Sequence, residues 1–310
     1  MSASTLTLPA FAKVNLSLRV LGRRPDGYHE IDTVLQTISL HDTLAVTAKN
    51  DPEIVLSCDD RSLGEAADNL VYRAAKALQV RFGPGKGAHI RLLKRIPVQA
   101  GLGGGSSDAA VTLLALAHLW ETEAKAHELL QIASSLGADV PFFFFGGTAR
   151  GTGAGNELTQ LDDTSDQFLL AIKPNASIPT SDAYRSLKAR SLTRAEAKTI
   201  LSSSVRGNIS DSFDSKVLQN DFEPVVFRLE PEIEAAKVAL IGAGAKAALL
   251  AGSGSVVFGI FDSGDAQARA IQAIELKAGW RVFPCRTVGR GAYRSAMGAA
   301  GAIFADVWGR

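Results

Sequence analysis

The run RIPVQAGLGGGSSDAA, Arg95 to Ala110, decides how the chain reads: glycines at 101, 103, 104 and 105 stand directly before two serines and an aspartate. From Ser106 to Trp120 there is no Gly or Pro and Ala and Leu dominate, so a mostly buried helix is expected to begin near Ser106 to Asp108. Glycines let backbone N–H groups approach an anion without a Cβ in the way. The free N–H groups of a first helical turn, reinforced by the macrodipole, attract the same charge. Serine hydroxyls add donors. A flexible linker or a helix cap uses similar residues, but a strand before the loop, a long helix after it and the clustered SSD favour a phosphate site. GxxxxGK[ST] occurs nowhere, the glycine spacing misses GxGxxG, and HRD and DFG are missing. The loop is therefore neither a Walker loop, a dinucleotide fingerprint nor a protein-kinase site.

Outward from the loop, AHIRLLKRI reads as the strand before it. Leu70, Val71, Ala74, Ala75 and Leu78 fall at helical spacing within about 68 to 80. At the N-terminal side, Val14, Leu16, Leu18 and Val20 alternate with Lys13, Asn15, Ser17 and Arg19, the period of a half-buried strand, so Lys13 and Asn15 share a face. RRPDGYHEID carries turn chemistry at Pro25-Asp26-Gly27, and IDTVLQTISLHDTLAVTA reads as more strand. A second helix, about Ala124 to Leu136, is expected to stop at Gly137 in the left-handed conformation, with Asp139 and Pro141 in the turn beyond. The stretch GGTARGTGAGNELTQL reads as loop with a β-arm, FLLAIKP as a strand, LTRAEAKTIL and IEAAKVALIGAG as helices, and SVVFGIF as a strand after a glycine turn.

The chain's 310 residues, 46% of them hydrophobic, predict two cores, divided near residue 164. With 33 basic and 32 acidic side chains the net charge is +1, which gives no general attraction to nucleic acid or anionic membranes; an anion must be caught locally. Cys58 and Cys285 are too few for a disulfide framework or a structural zinc site. His41, His89, His118 and His127 lack metal-ligand spacing, and His118 is expected to be partly buried in its helix. Ala247 to Phe261 is shorter than the ~18 residues of a membrane span, and MSASTLTLPAFAK lacks the features of a signal peptide. A cytoplasmic protein, monomeric or a weak homodimer, is expected.

The arrangement Pro97 to Ser107, P-x-x-x-G-L-G-G-G-S-S, resembles the nucleotide-binding motif of the GHMP kinases. AKVNLSLRVLGRRPDGYHEID and LLAGSGSVVFGIF match two further family signatures, and LGADVPFF, SIPT and NDFEP extend the resemblance over roughly Ala12 to Phe261. It implies an α+β fold of two domains, each a mixed or antiparallel sheet packed with helices, with the active site in the cleft between them. Residues 1–164 would bind ATP and residues 165–310 would form the substrate side. The implied activity is ATP-dependent phosphorylation of a small alcohol, here one carrying a cytidine moiety, in non-mevalonate isoprenoid precursor synthesis.

The resemblance assigns ATP contacts to Pro97, Gly101, Leu102, Gly103, Gly104, Gly105, Ser106 and Ser107, with Asn69 and Lys94 beside them. Asp139 would be the general base, Lys13 its partner, and Asn15 a substrate contact. Tyr28 and Tyr184 would stack on opposite faces of the cytosine, with His29 at its edge and Thr180 in the same pocket. Each has an ordinary alternative: a turn aspartate, a solvated strand lysine, a surface turn. Mg2+ is implied by ATP chemistry with its protein ligand left open, Ser107 and Asp108 being nearest by position. The competing readings are a homoserine- or mevalonate-type kinase, whose acceptor has no base to stack, and an RNA-binding module sharing the N-terminal architecture. The near-zero charge and the complete LGADVPFF segment weigh against the latter.

Overall fold

Two long strands carry the molecule: β1 (Thr5–Arg23) and β2 (His29–Lys49) pair antiparallel along almost their whole length, joined by the turn at Pro25 to Gly27. The computed structural model describes residues 4–63, 65–164, 166–187 and 218–304, with Ala189 and Glu196. Among these, β3 (Ile54–Cys58), β4 (Gly87–Leu93), β5 (Thr148–Thr152), β6 (Glu157–Gln160) and β8 (Gln219–Asn220) join β1 and β2 in one mixed sheet. A second, antiparallel sheet has the order β11 (Arg281–Arg286), β7 (Phe168–Lys173), β10 (Val257–Phe261), β9 (Ala247–Leu250).

The apolar patterning explains the layers. Helices α1 (Leu70–Phe82), α2 (Gly104–Leu119) and α3 (Ala126–Leu136) bury Leu78, Leu113, Leu116 and Leu129 against Leu44, Val46 and Ile90 of the first sheet. Full burial of one such side chain stabilises by roughly 1.5–3 kcal/mol. On the second sheet, α5 (Glu223–Leu229), α6 (Pro231–Gly242) and α7 (Gly264–Ala273), which follow the short α4 (Thr180–Ser186), pack Val226, Leu240 and Ala270 on Leu170 and Val257. A third cluster lies where the sheets meet: Ala12, Val14 and Leu16 of β1 against Leu169, Ala171 and Phe258.

Burial departs from the sequence expectation on β1. Its polar face is not solvated: Lys13, Asn15 and Ser17 are buried along with their apolar neighbours. Helix α2 starts at Gly104, earlier than expected, because Gly103 takes the left-handed N-cap position (φ 69°) and its carbonyl accepts the Ser107 N–H at 2.9 Å. Gly137 ends α3 in extended, not left-handed, backbone (φ 170°), with its N–H bonded to the Ala133 carbonyl. His118 is exposed, since α2's last turn emerges from the core. The expected helix LTRAEAKTIL lies outside the described residues except for Glu196, whereas α6, β10 and the β5–β6 arm stand where the sequence puts them.

The sheets change over near residue 164, but two later segments return to the first sheet. One is β8 beside β1; the other is α8 (Arg290–Met297) with the 3-10 turn Gly298–Phe304. Tyr293 is buried in the first core and its hydroxyl donates to the Phe143 carbonyl, while Phe304 packs on Phe144 at 4.8 Å between ring centroids. The Gly- and Ala-rich C-terminal stretch thus backs the turn that carries Asp139. Among the described residues no helix is long and apolar enough to cross a membrane.

Candidate active site

The polar face of β1 forms the floor of a cleft of about 990 Å³. Lys13 Nζ donates to Asn15 Oδ1 at 2.7 Å and lies 3.4 Å from Asp139 Oδ2; Asn15 Nδ2 donates to Thr33 Oγ1 at 2.8 Å, and Thr33 donates to the Ser17 carbonyl at 2.6 Å. This chain fixes the ammonium of a buried lysine, whose desolvation must be offset by partners. Asp139 stands at the N-cap of the 3-10 turn Val140–Phe144 yet makes no capping bond, so its carboxylate, 38% exposed, faces the cleft. The Asp139 carboxylate is thus not spent as a structural cap.

The glycine loop lies directly above. Lys13 N–H donates to the Leu102 carbonyl at 2.9 Å, and a Cβ at Gly103 would sit 3.1 Å from Lys13 Cγ and 2.9 Å from Phe143 Cζ. At Gly101 (φ +78°) a Cβ would fall 1.9 Å from the Ala251 carbonyl oxygen, so the loop packs backbone to backbone on the turn at 251–254. Positive φ belongs to 101 and 103; Gly104 is helical and is constrained instead by Ile96 Cγ2, 2.9 Å from where its Cβ would be.

On the far side of the loop a smaller cavity of about 340 Å³ is lined by Asn69, Lys94, Pro97, Gly101 to Ser106 and Asp108, and the two cavities share Gly101, Gly103 and Ser106. Leu102 and Pro97 are buried, and both line this cavity. Asn69 caps α1, its Oδ1 accepting the Val71 N–H at 2.9 Å. Lys94 is committed inward: it bridges Asp42 Oδ2 and, at 2.8 Å, Asp108 Oδ2. Burial opposes its charge, the two carboxylates more than compensate, and its pKa ends above the ordinary lysine value. Burial pushes the Asp108 carboxyl upward, and the Lys94 ammonium opposes that shift. Ser107 Oγ and Asp108 Oδ1 are buried without a hydrogen-bond partner.

The other end of the large cleft holds aromatic side chains. Tyr184 stacks on His29 (centroids 4.6 Å apart, planes 29°) and receives the edge of Phe222 at 4.8 Å and 87°. Tyr28, 66% exposed, stands outside this stack, so two tyrosines do not face one another: the His29 imidazole takes one face of Tyr184. Burial, then Arg23, lowers the His29 pKa; burial, then the Asp139 charge, pushes the Tyr184 phenol up to about 12. Thr180 Oγ1 meets Ser253 Oγ at 3.1 Å.

The family described as GHMP kinases N terminal domain matches residues 69–147, and GHMP kinases C terminal matches 206–278. The 4-diphosphocytidyl-2-C-methyl-D-erythritol kinase of Pelotomaculum thermopropionicum is 42% identical over 256 residues, covering 82% of this chain and 88% of the relative. This chain belongs to the GHMP kinases. A GHMP kinase of the same name from Solibacter usitatus is 41% identical over 89% of this chain and 87% of its own. A crystal structure of 4-(cytidine 5'-diphospho)-2C-methyl-D-erythritol kinase superposes with a TM-score of 0.75 at 35% identity, covering 92% of this chain and all of that one. The homoserine kinase of Cytophaga hutchinsonii, 18% identical with a TM-score of 0.68 over 94% of this chain and 97% of that one, shares the GHMP kinase fold.

Two residues of this GHMP kinase site escaped the sequence reading. Asp42 accepts N–H groups from Arg95 and Ile96 as well as Lys94, so it pins the entry to the glycine loop. The signal was present: Asp42 shares its strand face with Leu44 and Val46, and a carboxylate on an apolar face requires partners. Thr33, which orients Asn15, carried no such mark.

Proposed function

We propose that the chain transfers the γ-phosphoryl group of ATP to a hydroxyl of 4-diphosphocytidyl-2-C-methyl-D-erythritol, giving the 2-phosphate and ADP, a step of non-mevalonate isoprenoid precursor synthesis. The observation that carries this reading is the Lys13–Asp139 pair at the floor of the cleft, beneath a glycine loop that walls two adjoining cavities. ATP takes the smaller cavity with its phosphates on the N–H groups of Gly101 to Ser106 at the N-terminus of α2; the alcohol takes the larger. Asp139 orients the acceptor hydroxyl and accepts its proton as the oxygen bonds to the γ-phosphorus and the bond to the β-phosphate oxygen breaks. Lys13 lies against the charge that develops on the transferred group.

For Mg2+, the nearest donor is Asp108, which lines the smaller cavity and has Oδ1 unpartnered; it would hold the ion, whereas Ser107 Oγ, though also unpartnered, lines neither cavity. When bound, Mg2+ would supply charge neutralisation between the phosphates. The aromatic end supports a base-bearing acceptor over a homoserine- or mevalonate-type one, with Tyr184 as the stacking face, Tyr28 folding over the opposite face and His29 moving to the ring edge.

A coupled ADP-release assay, with and without the cytidine-linked alcohol, tests this. Turnover is expected only with that alcohol, and CMP is expected to compete with it and not with ATP. CMP that fails to inhibit at millimolar concentration, or competes only with ATP, would overturn the cytidine site in favour of a simple-alcohol kinase.

A further inference from the structure

Asn220 lines neither cavity, yet its buried amide is spent on the segments that build both. Its Nδ2 donates to the carbonyls of Leu250 (2.8 Å) and Gly252 (2.7 Å), and its Oδ1 accepts the Phe222 N–H at 2.9 Å. On one side, the turn it holds presses on the phosphate loop at Gly101, and Val256 N–H donates to the Ala100 carbonyl at 3.1 Å. On the other, Phe222 sets its edge on Tyr184, the proposed stacking face. The backbone contacts at Gly101 leave no slack, so a shift of the 251–254 turn must be transmitted to the loop.

We infer that Asn220 is a positioning residue: one side-chain amide fixes the phosphate loop through the 250–252 carbonyls and the acceptor platform through Phe222. The platform half rests on the acceptor reading above; the phosphate half does not. The two arms separate chemically. Asn220→Asp keeps an oxygen for the Phe222 N–H but turns a carboxylate oxygen on two carbonyls, whereas Phe222→Leu keeps the amide and removes the aromatic edge.

Calorimetric titration of the full chain with a non-hydrolysable ATP analogue and with CMP tests the inference, with circular dichroism reporting the fold. Asn220→Asp is expected to weaken the ATP analogue by about tenfold or more, the loss of buried hydrogen bonds. Phe222→Leu is expected to weaken CMP by about 3- to 10-fold and leave the ATP analogue unchanged. A purely structural asparagine would lower the melting temperature while the folded fraction bound both ligands normally. That result, or a Phe222→Leu protein that weakens both ligands equally, overturns the inference. Should Asn220→Asp not fold, Asn220→Ser, which retains one donor, carries the same readout. Absence of CMP binding in the unaltered protein would count against the acceptor reading alone, because the ATP arm is read separately.

Discussion

The two ends of the active-site cleft are built in opposite ways. At the nucleotide end the working parts are backbone: a glycine loop seated on another turn without Cβ atoms between them, and pinned at its entry by a buried lysine between two aspartates. At the acceptor end the working parts are side chains on a tight turn and a short helix, with Tyr28 largely in solvent and His29 and Tyr184 covering one another. Phosphate presents the same charges in every nucleotide, so a fixed frame of N–H groups suffices and wastes no binding energy on reorganisation. A base is recognised by its faces, and those faces must be uncovered first. If the acceptor's base binds here as proposed, its affinity includes the cost of parting the His29–Tyr184 stack.

That contrast can be broken or sharpened experimentally. The largest effect is expected where the ends meet: Asp139→Asn should lower kcat by about 10² to 10⁴ with ATP binding and fold intact, the range for loss of a general base. Single-turnover rates read this directly, and an unchanged rate removes Asp139 from the chemistry. Lys94→Met probes the rigid end by leaving Asp42 and Asp108 buried without their shared cation, a change of roughly 3–5 kcal/mol. A melting temperature lower by roughly 10 °C is expected; a variant as stable as the parent would mean the bridge is not what pins the loop.

Tyr184→Ala probes the adaptable end. Stacking contributes roughly 1 to 3 kcal/mol per base, so KM for the cytidine-linked alcohol should rise by about 5- to 150-fold with a smaller change in KM for ATP. Equal changes in both would collapse the distinction between the ends. The smallest effect concerns pH. Because burial and Arg23 lower the His29 pKa, the fold favours the neutral imidazole; stability is therefore full above the ordinary value of 6.5 and is lost as pH falls through and below it. Melting temperature should drop more between about pH 7.5 and about pH 5 in the unaltered protein than in His29→Gln. Parallel curves would show that His29 does not feel its stack.

By itself the sequence determined the elements and the chemistry they carry. The glycine loop and the helix behind it, the period-two strand that puts Lys13 and Asn15 on one face, the Pro-Asp-Gly turn and the aspartate of LGADVPFF are all legible because periodicity, turn chemistry and helix starts are set by neighbours a few residues apart. What the tertiary structure decided is which of these groups meet and what each then has left to offer. Lys94 reads as a nucleotide contact; the structure adds that Asp42 and Asp108, from a distant strand and from α2, enclose its ammonium at the edge of the smaller cavity. Asn69 reads the same way and in the fold also caps α1, while Tyr28 reads as half of a sandwich and in the fold stands apart from the His29–Tyr184 stack. Asn220 gained its place only when the 250–252 carbonyls arrived beside it. The physical reason is common to all four: a polar side chain removed from water bonds whatever donors and acceptors the fold brings within reach, and those come from parts of the chain whose proximity no local pattern records.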